Sequence, residues 1–404
     1  MASSTSSTSK PRQRLRQLLP NIHLGNWPPG PLNGITDVPG VLTHTITIQP
    51  PSNPSINTGL TVILPHEGWI DQAVHAGFFR FNGAGEMTGA QWIDETGLLN
   101  SPIVLTSTIS IGDAHRGIFE YLFQQRKSDD DHLDYFIVPV VAETFDGALH
   151  DISNFAVKPE MVGQGIEDAT ADLTPEGCTG GGTGMICQGF KAGTGTSSRV
   201  VKGFGLPDAD GNAQPRDYTV GVLVQANYGR IRDFRVVGVP VGRIIVEQRE
   251  KEADAATLAQ QAQIEAAKDK KDGSIIIIIA TDAPLHPVQL QRVARRATVG
   301  LARVGGYGHN PSGDLFLAFS TANKVPIQSM STKNRKVDPF KPRALSAEFT
   351  DDQSINGLFE AAADATEEAI YNAICMAKTT VGHKGQKVDA IDLAQLKGIL
   401  EKYI

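Results

Sequence analysis

Five isoleucines in succession, Ile275 to Ile279, followed by Ala280, constrain the fold of this 404-residue chain more than any other feature. A strand with one wet face alternates apolar and polar residues, whereas an unbroken β-branched run needs apolar material on both faces. Such a strand has to lie inside a stack of layers. What precedes it is its opposite. Glu247–Asp272 reads EQREKEADAATLAQQAQIEAAKDKKD, without Gly, Pro or aromatic residues. Strong helix formers with few large apolar anchors predict a solvated, weakly docked helix or linker. A single Gly273-Ser274 step joins the two segments.

Around this junction the chain is punctuated by 41 glycines and 23 prolines, which suits many turns rather than a helical bundle. Leu42–Ile48, Gly59–Leu64, Ile103–Ile109, Tyr135–Val141, Tyr218–Val224 and Ile231–Gly238 read as strands, and Gly117–Lys127 as a helix. Asn33-Gly34 and Asn82-Gly83 carry turn chemistry. After the isoleucines, Val288–Leu301 reads as an amphipathic helix and Leu315–Thr321 as a strand. Gln353–Lys378 reads as a long helix striped by Ile355, Leu358, Ala362, Ala369 and Ile370, and Asp389–Ile404 as a last helix. Strands and helices interleave without a βαβ period or internal repeat. Stacked sheets covered by helices fit better than a doubly wound sheet.

A net charge of −7 argues against nucleic acid or an anionic membrane as a partner. No apolar run approaches the roughly eighteen residues that span a bilayer. Cys178, Cys187 and Cys375 form neither a CxxC pair nor a disulfide framework, so a reducing, cytoplasmic compartment is expected. Met1 to Lys10 is Ser/Thr-rich, and Arg12, Arg14 and Arg16 follow it before any acidic residue. That is compatible with a mitochondrial transit peptide, although a disordered tail is the preferred reading.

The stretch Gly177–Gly184 invites comparison with a phosphate loop. However, Gly184-x4-Gly189 is followed by Phe190-Lys191-Ala192, which misplaces both side chains that such a loop needs. Glycines there are better read as permitting close backbone approach. The ten histidines show no paired metal-ligand spacing. Ser274 offers a different chemistry. A serine at a chain's own N-terminus can use its free α-amine, of pKa roughly 7.7–8.0, as general base. Gly273-Ser274 suits a cut that would expose such an amine, with Gly allowing a strained turn. A Gly-Ser step before a strand is more often just a turn, and these residues alone leave both readings open.

The stretch from Gly273 to Asn323, GSIIIIIATDAPLHPVQLQRVARRATVGLARVGGYGHNPSGDLFLAFSTAN, resembles the nucleophile segment of the L-aminopeptidase D-esterase / β-peptidyl aminopeptidase family. The likeness continues through PLNGITDVPGV (Pro31–Val41), VVAET (Val140–Thr144), the Gly180–Gly184 run with GFKAGTGTSSR after it, VLVQANYG (Val222–Gly229) and ATEEAI (Ala365–Ile370). The resemblance implies an α/β (α+β) fold: a four-layer αββα sandwich of the N-terminal-nucleophile hydrolase kind.

It further implies that Ser274 attacks the Gly273 carbonyl during self-cleavage and is then the nucleophile of the mature enzyme. Ser312 and Asp314 match the family's second serine and its acid. Two residues apart on a strand, they face one side and can meet. Asn227 matches the oxyanion-hole asparagine, and Glu143 the acid that holds the substrate's free amine. Without the motifs, Ser312 and Asp314 would read as a turn cap, Asn227 as a turn residue and Glu143 as a strand-end carboxylate. Phe145 stands where some members have a tyrosine whose hydroxyl lies near the nucleophile, so that donor is absent here. The implied organisation is a tail and lead-in over 1–30, a larger fragment 31–273 with 247–272 as disposable linker, and a smaller fragment 274–404. The fragments are expected to stay together, commonly as an oligomer of such pairs. No cofactor or metal is implied, and the expected substrates are short peptides, amides or esters bearing a free amine. Two alternatives remain: an acyltransferase like the related ornithine acetyltransferases, which use a Thr nucleophile in a different motif, or a non-catalytic relative.

Overall fold

The computed structural model of the chain describes residues 11–127, 131–252, 273–330 and 337–404. The isoleucine run forms the middle of a strand, Ser274–Thr281, that is buried at every position. Ile275, Ile277 and Ile279 enter one hydrophobic core while Ile276, Ile278 and Ala280 enter another. This is the alternation of side chains that an extended backbone imposes.

In chain order, the strands of the two main sheets are β1 (Leu42–Ile48), β2 (Thr58–Leu64), β3 (Gln72–Gly83), β4 (Leu98–Leu99), β5 (Ile103–Ser107), β6 (Val140–Thr144), β7 (Thr194–Phe204), β8 (Pro215–Asn227), β9 (Ser274–Thr281) and β10 (Gly313–Pro326). One sheet has the order β1-β2-β5-β6 and the other β4-β3-β10-β9-β8-β7. Within the second, β9 runs antiparallel to β8 and parallel to β10, so it is an interior strand. The helices are α1 (Leu15–Leu18), α2 (Ala90–Thr96), α3 (Ile111–Arg126), α4 (Pro159–Glu167), α5 (Val241–Glu252), α6 (Pro287–Val304), α7 (Asn356–Cys375) and α8 (Leu393–Leu400).

Three cores separate four layers. Ile118 and Leu122 of α3 and Val162 and Ile166 of α4 pack on Leu60, Val62 and Val141 of the first sheet. Between the sheets, Ile63, Leu105 and Ala142 meet Leu223, Ile276, Ile278 and Leu317. On the far side, Leu290, Val293 and Leu301 of α6 and Ala362 and Ala369 of α7 cover Val222, Val224, Ile275 and Ile277. This is the αββα sandwich, not a doubly wound sheet. The two-fold side-chain alternation leaves β9 no choice but the inside of it.

Helix α6 begins at Pro287, with the His286 ring accepting from Gln289 N at 3.4 Å, and ends at Gly305 with φ of 102°. Both ends have the chemistry expected of helix termini. Helix α7 lies so deep that its acids need partners. Glu368 is fully buried between Arg199, at 2.7 Å, and Arg16, at 2.9 Å. Arg14 likewise meets buried Glu176 at 2.5 Å. Leu15, Leu18, Leu19, Ile22 and Leu24 join the core under α7. Residues 11–30 of the expected lead-in are thus an integral part of the fold: Arg14 and Arg16 serve buried ion pairs, and Arg12 donates to the carbonyls of Cys375 and Ile391. Residues 1–10 lie outside the described residues, as do 253–272 of the charged segment, whose start belongs to α5.

Some elements differ from the sequence reading. Ile231–Gly238 is not a strand: Ile231–Asp233 forms a 3-10 turn, and Val236 and Val239 exchange backbone bonds. Val237 and Gly238, with φ of 49° and 81°, close that tight turn, a conformation a strand excludes. Where Tyr135–Val141 was expected as a strand, pairing begins only at Val140. Strand β7 had little apolar signal because its buried residues, Val201 and Gly195 apart, are Thr194, Thr196, Ser197, Ser198 and Arg199. Their partners, such as Asn33, Asp37 and Glu176, come from distant segments.

Candidate active site

Ser274 is the first residue of β9, and the register of its neighbours builds the site. Antiparallel pairing sets Asn227, the last residue of β8, opposite Ser274, while parallel pairing sets Asp314 opposite Ile275. Three strand ends therefore converge on one point. The Ser274 hydroxyl oxygen accepts from Gly313 N at 3.1 Å. Ser312 Oγ donates to Asp314 Oδ1 at 2.7 Å, and both residues are buried. They meet at the mouth of β10 rather than along it, since the strand starts at Gly313. The requirement for glycine before Ser274 is steric. A Cβ on Gly273 would fall 1.5 Å from the Asn227 carbonyl oxygen. Close approach explains the residue.

The Asn227 side chain is held from two directions. Its Oδ1 accepts from Ile186 N and its Nδ2 donates to the Phe145 carbonyl, each at 2.9 Å. An amide nitrogen carries two hydrogens, so one remains beyond the Phe145 bond. Phe145 is thus tied to the site through its backbone. Its ring is 39% exposed and lies over Gly147, where a Cβ would meet Phe145 Cζ at 2.3 Å.

Glu143, on β6 of the other sheet, reaches the same region across two glycines. A Cβ on Gly313 would lie 2.6 Å from Gly85 Cα, and one on Gly85 would lie 3.2 Å from Glu143 Oε1. The carboxylate accepts from Glu86 N at 3.0 Å and from the Thr108 hydroxyl. Burial pushes its pKa up, and the nearby Glu86 and Asp146 charges add to this. The two hydrogen bonds pull the other way. A buried acid whose ionised form is disfavoured gains from a cation placed beside it.

Thr108, Glu86 and Asn82 went unnoticed in the sequence as site-supporting residues. Asn82 Nδ2 donates to the carbonyls of Ser312 and of His309, the latter at 2.8 Å, and so holds the turn that carries Ser312. The Asn82–Gly85 turn motif was the available signal, but nothing in it indicates which loop it grips. The Gly180–Gly184 run is no phosphate cradle. Gly180 N and Gly181 N donate to Thr47 Oγ1 and Thr61 Oγ1, and a Cβ on Gly181 would lie 2.0 Å from Gln225 Oε1. The glycines let a turn wedge against both sheets. Among the described residues no three His, Cys, Asp or Glu side chains gather as a metal-ligand set, and no helix is long and apolar enough to cross a membrane. The three cysteines are free.

The sequence pattern of peptidase family S58 matches residues 33–388, which span every residue of this site. The chain belongs to peptidase family S58. The beta-peptidyl aminopeptidase BapA of Sphingosinicella microcystinivorans is 40% identical over 387 residues, covering 93% of this chain and 89% of that one. Among solved structures, a Burkholderia sp. beta-aminopeptidase superposes with a TM-score of 0.79 at 38% identity, covering 96% of this chain and 99% of the other. The L-aminopeptidase D-Ala-esterase/amidase of Ochrobactrum anthropi, described as a prototype of the serine aminopeptidases and a variant of the Ntn hydrolase fold, gives 0.77 at 38% identity, covering 96% and 98%. This S58 protein is accordingly a serine aminopeptidase, a hydrolase of peptide bonds. Neither the acyltransferase nor the non-catalytic alternative draws support from these relatives.

Proposed function

We propose that this S58 aminopeptidase matures by cutting its own Gly273–Ser274 bond and then removes N-terminal residues from short peptides and amides through an acyl-enzyme on Ser274. The observation that carries the proposal is the convergence of Ser274, Asn227, Ser312 and Asp314 at three adjoining strand ends. In maturation, Ser274 Oγ attacks the Gly273 carbonyl carbon. The C–N bond breaks, the nitrogen takes the proton, and an ester joins Gly273 to Oγ. Water hydrolyses that ester, leaving a Gly273 carboxylate, a free hydroxyl and a free α-amine on Ser274.

That amine then takes the hydroxyl proton as Ser274 attacks substrate, and returns it to the leaving amine. Asp314 stabilises the transient ammonium, with Ser312 holding it in place. The second Asn227 Nδ2 hydrogen is directed at the developing oxyanion. Glu143 receives the substrate's ammonium, which supplies the cation its buried carboxylate lacks. The BapA relative is named a beta-peptidyl aminopeptidase and the Burkholderia enzyme a beta-aminopeptidase, so a peptide with an N-terminal β-amino acid is the first substrate to offer. Fragments 1–273 and 274–404 stay joined because β9 keeps its pairing with β8 of the larger fragment. An oligomer of such pairs in a reducing, cytoplasmic compartment completes the reading.

Intact mass spectrometry tests this. The purified protein should give two masses, the smaller starting at Ser274, and Ser274→Ala should give one mass and no peptide hydrolysis. An active enzyme of full length would overturn it.

A further inference from the structure

Behind Ser274 lies a small cavity whose second wall has no part in the chemistry so far. Gly273, Ser312 and Asp314 line one side, and Tyr228 with the loop from Gly305 to His309 lines the other. About 10 Å³ of it is open to the centre of a water molecule, room for roughly one water. Tyr228 directly follows Asn227 and is 5% exposed. Its position is tightly set: its carbonyl accepts from Gln188 N at 2.7 Å, and a Cβ on Gly306 would meet its ring at 3.1 Å. Yet among the described residues its hydroxyl makes no hydrogen bond of good geometry, although the Gln188 amide and the Cys187 thiol lie close enough to interact with it. A buried hydroxyl left unpaired is costly, and a water in an adjoining polar cavity is the usual remedy.

The surroundings decide which way such a water would be used. Around the Tyr228 hydroxyl are Cys187, the Gln188 amide, Tyr371 of α7 and Asp314 of β10; Tyr307 and His309 also line the cavity. Cys187 is pushed up to about 12 by burial and stays a thiol. Tyr371 already donates to Glu367 at 2.8 Å. Asp314 is the anionic acceptor of the group. Burial raises the Tyr228 pKa well above its ordinary value, so the hydroxyl keeps its proton at any working pH.

We infer that Tyr228 is a further positioning residue of the aminopeptidase, donating through one water in this cavity to the Asp314 carboxylate and steadying the Ser312–Asp314 pair from behind. The inference rests on the roles proposed above for Ser274, Ser312 and Asp314. A donor to a carboxylate favours its ionised form, so losing the donor raises the pH at which Asp314 takes up a proton. Tyr228→Phe keeps the ring and its packing and removes only the oxygen.

The experiment combines intact mass spectrometry with a kcat/KM pH profile for wild type and Tyr228→Phe. The variant should still split at Gly273–Ser274, while the lower break of its acid limb, set by Asp314 beneath the break of the Ser274 α-amine, moves to higher pH by about half a unit to one unit. A cleaved variant whose limb coincides with that of wild type overturns the inference alone, even if the rate is lower at every pH, because that is a packing effect. A wild-type chain that is never cleaved overturns the Ser274 reading and takes this inference with it.

Discussion

Replacing Asn227 by alanine should slow two reactions by the same factor. In the proposed mechanism, self-cleavage and turnover both build negative charge on a carbonyl oxygen beside Ser274, and one Nδ2 hydrogen serves both. Removing one such donor typically costs about 2.7–4 kcal/mol of barrier. At 1.36 kcal/mol per decade, that is a loss of two to three orders of magnitude. The substitution also strips partners from the partly buried Ile186 N and Phe145 carbonyl, costing about 1 kcal/mol of stability for each, less than the penalty of a fully buried unpaired group. Asn227→Asp separates the effects. It keeps an acceptor for Ile186 N but turns a carboxylate oxygen on the Phe145 carbonyl and on the forming oxyanion, so it should be at least as slow as alanine without the loss at Ile186 N. The assay follows maturation by intact mass against time, then measures kcat on an amide substrate with the matured fraction, alongside thermal melting. If either variant matured slowly yet turned over at the wild-type rate, Asn227 would not be the shared oxyanion donor and the single-site argument would fail.

Glu143→Gln should raise KM for a cationic substrate about tenfold to a hundredfold while changing kcat much less, because a charge-assisted bond is worth roughly 1.5–3 kcal/mol. Its sign in stability is opposite. Since the folded-state pKa lies above the ordinary 4.5, the folded chain binds the proton more tightly, and stability falls as pH rises from that value to the raised one. The glutamine variant should therefore melt no lower than wild type at neutral pH; a clear drop would mean that the carboxylate is structural. Phe145→Tyr restores a hydroxyl at a half-exposed ring that the fold can accommodate. We expect kcat to rise by up to about tenfold, a modest share of a donor's usual worth, with unchanged melting. An unaltered kcat would show that the ring does not reach the reacting oxygen.

What was legible in the sequence, and what was not, follows the range of the interactions involved. The layered architecture could be read from β9 because burial on two faces is written into five adjacent residues. Ser274, Ser312, Asp314, Asn227 and Glu143 could be picked out because long motifs surround each. The roles of Arg14 and Arg16 were not legible because their partners, Glu176 and Glu368, lie more than a hundred residues away. Strand β7 was missed for the same reason, its buried polar face having meaning only beside those partners. The Thr108 and Glu86 contacts of Glu143, and the grip of Asn82 on the Ser312 turn, likewise exist only after folding brings three loops together.

The isoleucine strand sets a problem of alignment as well as of burial. A run of identical residues is nearly indifferent to sliding: moving β9 by one position puts isoleucine where isoleucine was, so apolar patterning barely specifies its register. Yet a slip of one residue would carry Ser274 away from Asn227 and Gly313. The alignment must be set at the polar ends. Ser274 takes Gly313 N at one end, while at the other Thr281 donates to the Thr219 carbonyl at 2.8 Å and Asp282 accepts from Thr219 N at 2.7 Å. Thr281 and Asp282 touch no reacting atom. They act as the fixed stop of a ruler whose graduations are all alike, and the proposed nucleophile stands at its other end.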